Sequence, residues 1–198
     1  MTKIYRIIIF LTLINLPFST YAHIQHYEDL KRIEFDIYRN NKLIGTHIFS
    51  FKKLDGQLAV KSEINFKIKK FGIVFYTYHV EGTEIYEDGK LIKFNSKTNQ
   101  NGKEKYVNMI LENEEYTIDG SSYQGKVPED YLLGTWWNHS IVKAEAQISA
   151  VSGRIIKQKV TFLSKEIIKL GEKSYNTLHF NLASTDKKLT KDKKLNTD

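Results

Sequence analysis

Between Gln57 and Leu111 the chain alternates apolar and polar residues and breaks only at turn signals, which leaves an antiparallel meander as almost its only open fold. In Leu58 to Ile68, Leu58, Val60, Ile64, Phe66 and Ile68 share one side with Ser62, and Ala59, Lys61, Glu63, Asn65 and Lys67 share the other. Successive side chains of a strand face opposite ways, so one face meets a core and the other meets water. Ile73 to Glu87 is dense in Tyr, Phe, Val and Thr, which suit a pleated surface. Asp88-Gly89 and Asn101-Gly102 are hairpin signals, because both central residues of a type I′ turn need positive φ. They separate strands at Leu91 to Thr98 and Tyr106 to Leu111.

The same patterns extend the meander in both directions. Ile33, Phe35 and Ile37 alternate with polar partners as a first strand, Asn40-Asn41-Lys42 turns the chain, and Leu43 to Lys53 follows, up to a turn at Asp55-Gly56. Gly72 and Gly82 interrupt the pattern and predict bulges or sharp bends, which suit a curved sheet. Past Leu111, Tyr116 to Ile118 reads as a short strand and Asp119 to Lys126 as a loop. Glu129 to Asn138 places acids at its start and predicts one or two helical turns over an open end of the sheet. Arg154 to Leu163, Ile167 to Leu170 and Tyr175 to Ala183 read as later strands. The fold class expected is therefore all-β: a strongly curved antiparallel sheet or partly open β-barrel with one short helix.

Residues 1–22 have the layout of a secretory signal. Lys3 and Arg6 form a basic start, Ile7 to Leu16 an apolar run, and Thr20-Tyr21-Ala22 a small-x-small cleavage site. Pro17, Ser19 and Thr20 cut the run short of the ~20 apolar residues a membrane span needs. The expectation is a periplasmic or secreted chain beginning at His23, with a single β-rich domain over residues 23–183 and no stable membrane insertion after cleavage. Residues 184–198 are a polar Lys/Asp run, expected to be disordered and to leave the strand ending near Ala183 with one side unpaired.

The chain of 198 residues has no cysteine, which excludes thiol catalysis, thiolate metal sites and a lipidated N-terminus. Its net charge of +7 is spread over turns and outward strand positions, without the arginine-rich, aromatic-stacked stripe of a nucleic-acid binder. A solvated polar face and a contact with an anionic membrane surface both fit that balance.

Several phrases stand out together: Phe35-Asp36-Ile37-Tyr38 with Ile44-Gly45-Thr46-His47, Tyr76-x-Tyr78-His79-x-Glu81-x-x-Glu84, Asp88-Gly89-Lys90-Leu91, and Ser96-x-Thr98 with Asn101-Gly102-Lys103. As a set they resemble DUF6134, a family of exported bacterial proteins described as a domain of unknown function. The resemblance implies an extracytoplasmic compartment and a β-rich fold and carries no mechanism. It also implies a further aromatic strand pair beyond the position where this chain reads Asp198.

Chemistry has two candidate settings. His79 and Glu81 share a strand face, and a bulge at Gly82 would bring Glu84 to it, giving a hydrolase or isomerase an acid–base group; the same residues also suit a hydrogen-bonded pair holding the sheet. Tyr76, Tyr78, Trp136 and Trp137 concentrate where strands meet the expected helix, as a rim over an apolar cavity would. His23 and His26 alone are too few for a metal, and no cofactor is expected. No nucleophile elbow, phosphate loop or zinc helix motif occurs. The leading expectation is a non-enzymatic exported binder of a lipid or other apolar molecule, or a factor acting with an envelope protein. A structural module pairing through exposed strand edges is the third reading.

Overall fold

The computed structural model describes Tyr27 and residues 29–186. The expected signal and most of the tail, residues 187–198, lie outside these. Eight strands follow one another in an open antiparallel meander: β1 (Arg32–Arg39), β2 (Lys42–Leu54), β3 (Gln57–Lys70), β4 (Ile73–Glu87), β5 (Lys90–Gln100), β6 (Lys103–Glu112), β7 (Glu115–Gly120) and β8 (Tyr123–Pro128). A second sheet carries β9 (Leu132–Leu133), β10 (Ala146–Ile148), β11 (Ile155–Leu170) and β12 (Lys173–Ser184), in the order β12-β11-β10-β9. The all-β class holds, and the large sheet stays open, with β1 and β8 at its edges.

The turns sit where the small polar pairs put them. Asn40, Asn41, Asp55, Asp88, Asn101 and Asn113 all take positive φ, as do Gly56, Gly89 and Gly102. Gly72 is the sharp bend its position suggests, because Phe71 (φ 52°) and Gly72 (φ 80°) form the β3–β4 hairpin turn. Gly82 is not a bulge. It pairs in register with Ser62 and Ser96, and the irregularities fall instead at Ile68/Lys69 and Ile85/Tyr86. The reason for a glycine there is space: a Cβ would stand 2.8 Å from Ser62 Oγ and 3.2 Å from the Phe94 ring.

The inner face reads best as rows running across the strands. One row, Phe51–Val60–Glu84–Phe94–Met109–Ile118, forms the buried core, with Glu84 as its acid. The next, Phe49–Ser62–Gly82–Ser96–Val107–Gly120, is rich in small residues. There the second layer comes close: Ser96 Oγ donates to the Ala150 carbonyl (2.5 Å), and the Ser122 amide donates to that of Ser152 (2.8 Å). Leu133, Trp137 and Ile148 complete the core from that layer.

Three further expectations change. Residues 129–138 do not form a helix: Leu132–Leu133 is a strand parallel to β10, and the short helix is a 3-10 turn at His139–Lys143. Trp136 takes φ 74°, which a helix cannot absorb, and the Asn138 side chain caps the later turn through the Ser140 amide. Residues 119–126 are not a loop, since Ser121-Ser122 turns β7 tightly into β8. The two strands expected within 154–170 are one, with a bulge between Phe162 and Ser164. β11 and β12 make a long ribbon whose distal half exposes Ile167, Leu170 and Leu178.

Candidate functional site

The third inner row opens a cavity instead of filling one. His47, Ile64 and Val80 form its floor with Ser62 and Tyr78. Gly134, Thr135, Trp136, Gln147, Ser149, Ala150, Val151 and Ile156 cover it from the second layer. The cavity measures about 300 Å³. That is the small end of the ~300–1,000 Å³ range of ligand pockets, enough for one acyl chain or a slim ring system. Its lining mixes aliphatic carbon with a few hydroxyl, amide and imidazole groups. Burial lowers the pKa of His47, which favours the uncharged form of the ring that faces the cavity. His47 packs against Phe49 at 4.2 Å between ring centroids.

Of the four aromatic residues expected at a rim, Tyr78 and Trp136 line this cavity from opposite layers. Burial raises the pKa of Tyr78, and the neighbouring Tyr76 adds to the rise. Trp136 is 61% exposed and holds a left-handed backbone, costly for so bulky a residue. Tyr76 lies further along β4, where the Phe66 ring stacks on Tyr78 (4.9 Å) and Tyr76 (6.0 Å). Trp137 is not a rim residue. It is 5% exposed and meets Phe51, Tyr86 and Tyr27 edge-on at 5.3, 5.6 and 5.2 Å.

His79, Glu81 and Glu84 do not come together. With Gly82 in register, His79 and Glu81 stand on the outer face and Glu84 on the inner one. His79 Nδ1 donates to Asn65 Oδ1 (2.6 Å), and its Nε2 lies 3.6 Å from Glu81 Oε1. Glu84 is fully buried and accepts from Tyr86 Oη (2.5 Å) and Trp137 Nε1 (2.9 Å). Burial pushes its carboxyl up to about 7, against the hydrogen bonds from Tyr86, Trp137 and Thr135 that favour the anion. This cluster ties β4 to the segment carrying Trp136, so it positions the cavity cover. Strand parity alone separates residues 79 and 81 from 84, and that signal was present in the sequence.

One polar cluster escaped the sequence reading, because its members lie on two strands. On the ribbon, Ser164 Oγ and His179 Nδ1 both donate to Glu166 Oε1, at 2.6 and 2.7 Å. These bonds lower the Glu166 pKa. Both groups spend their bond on the carboxylate, so the arrangement does not set a base against the serine, as a nucleophilic triad requires. Among the described residues no group of three His, Asp or Glu side chains is placed to hold a metal ion.

An open antiparallel meander with a small second sheet makes this an all-β protein. Within it, the model of the family described as a domain of unknown function, DUF6134, matches residues 35–196, and the chain belongs to that family. No curated protein and no solved structure matches it.

Proposed function

We propose that this protein is an exported, non-enzymatic binder of a small amphiphile, held by its apolar part between the two sheets. The observation that carries the reading is the cavity of about 300 Å³ with Tyr78 and Trp136 on its two sides. An inner row left unfilled costs packing energy, and a strained tryptophan costs more, so their coincidence points to a retained use. The hydroxyl and amide groups of Ser62, Thr135, Gln147 and Ser149 suit a ligand with one polar end. Export rests on Lys3, Arg6, the apolar run to Leu16 and Thr20-Tyr21-Ala22, and implies a periplasmic or secreted location. The acid–base reading loses support, since His79 and Glu84 face opposite sides.

Native mass spectrometry of the protein purified from its exporting host tests both parts. The expected species begins at His23 and carries one bound amphiphile, released on denaturation. A bare chain retaining Met1 would contradict the proposal.

A further inference from the structure

The meander separates charge between its two ends. Turns alternate ends, so the β1–β2, β3–β4 and β5–β6 turns lie together. Arg39, Lys42, Lys69, Lys70, Lys103 and Lys105 lie within three residues of those turns, against the acid Glu104; the β7–β8 turn, also at this end, adds Asp119 and no base. The other end gathers Asp55, Glu87, Asp88, Glu112, Glu114 and Glu115, with Lys52, Lys53 and Lys90 among them. Among the described residues, Arg39, Lys42, Lys69, Lys70 and Lys103 make no ion pair with a carboxylate.

The basic end is also the apolar end. The last row paired across the sheet is Ile37–Gly45–Phe66–Tyr78–Gln100–Lys103, from β1 to β6. Beyond it, Lys67 to Tyr76 pairs only within its own hairpin and projects by about five residues, or ~17 Å at ~3.4 Å per residue. Phe71 at its tip is 92% exposed, Phe75 76% and Ile73 72%. The neighbouring β1–β2 hairpin repeats the combination, with exposed Tyr38 and Leu43 beside Arg39 and Lys42. Between the two tips runs an open groove lined by Lys42, Lys67, Lys69 and Phe71.

We propose that the paired β1–β2 and β3–β4 hairpin tips dock this protein on an anionic lipid surface, Phe71, Ile73 and Phe75 entering the headgroup–acyl boundary while the lysines meet lipid phosphates. Apolar side chains with basic flanks are what an interfacial anchor requires, and each surface lysine contributes by its charge. The separated charge selects the orientation, since the acidic end is repelled. The proposal goes beyond the ligand reading and stands without it. It also gives the arm a partner, which a two-stranded hairpin otherwise lacks in water.

The test is co-sedimentation of the full chain with vesicles of phosphatidylcholine alone or mixed with phosphatidylglycerol. The wild type is expected to bind the mixed vesicles at least about tenfold more tightly, and to release as salt shortens the screening length from ~10 to ~3 Å. Phe71→Asn with Phe75→Ser should lose at least about tenfold in that binding at an unchanged unfolding temperature, Asn accepting the left-handed turn. Lys69→Gln with Lys70→Gln should lose the preference for the anionic vesicles, and Ile167→Ser on the ribbon should change nothing. A wild type indifferent to mixed vesicles, as a protein-docking tip would be, overturns the proposal. So does a tip double variant that binds as the wild type does.

Discussion

At Glu84 a carboxyl lies in an apolar row, fully buried, with Tyr86 and Trp137 donating to it. Burial raises its pKa from an ordinary 4.5 to about 7, so the folded protein holds the proton more tightly than the unfolded chain does. Stability from this group is therefore full at acid pH and falls as pH rises from about 4.5 to about 7. The fall is of order 3 kcal/mol. Urea unfolding of Glu84→Gln across that window should lack this decline; a wild type flat from pH 4.5 to 7 would show that Glu84 is ionised throughout. The two tryptophans separate at the same scale. Trp137→Ala should cost about 3–5 kcal/mol, as loss of a buried aromatic does, whereas Trp136→Ala should leave the unfolding midpoint nearly unchanged. Equal losses would place both rings in the core.

Individual elements differ in how much holds them. Core β4 residues pair on both sides, while Lys67 to Tyr76 and the distal β11–β12 ribbon pair only within their own hairpins. Hydrogen exchange should accordingly be fast from residue 67 to 76 and near Leu170, and slow from Val80 to Tyr86; uniform protection along β4 would contradict this. The strands and hairpins were legible because Asp-Gly and Asn-Gly demand positive φ between alternating runs. The Glu129–Asn138 helix was misread because acids at its start satisfied a helix N-terminus, while the φ of Trp136 depends on tertiary contacts that no local pattern records. Gly82 resembled a bulge for a similar reason: the Phe94 ring that fills its place lies on another strand. The His79–Glu81–Glu84 site then failed with it, since the inward aim of Glu84 needed only unbroken strand parity.

For the whole molecule, three adjacent rows divide the labour. The apolar row makes the core, the row of small residues lets the second layer approach, and the row of His47, Ile64 and Val80 stays open beneath it. Which row stays open depends on where the second layer lands, and that is set by residues some fifty positions away, such as Ala150 against Ser96. For this reason the sequence does not say which of the four aromatics reach the cavity: Tyr78 and Trp136 line it, and Tyr76 and Trp137 do not. The proposed binding in the cavity is tested most directly by tryptophan fluorescence during titration with a bromine-labelled fatty acid, the chain having Trp136 and Trp137 alone as tryptophans. Saturable quenching at one fatty acid per chain is expected, and it should vanish in Trp136→Phe, where only the enclosed Trp137 emits. Quenching that never saturates, or that persists unchanged in Trp136→Phe, would contradict the account.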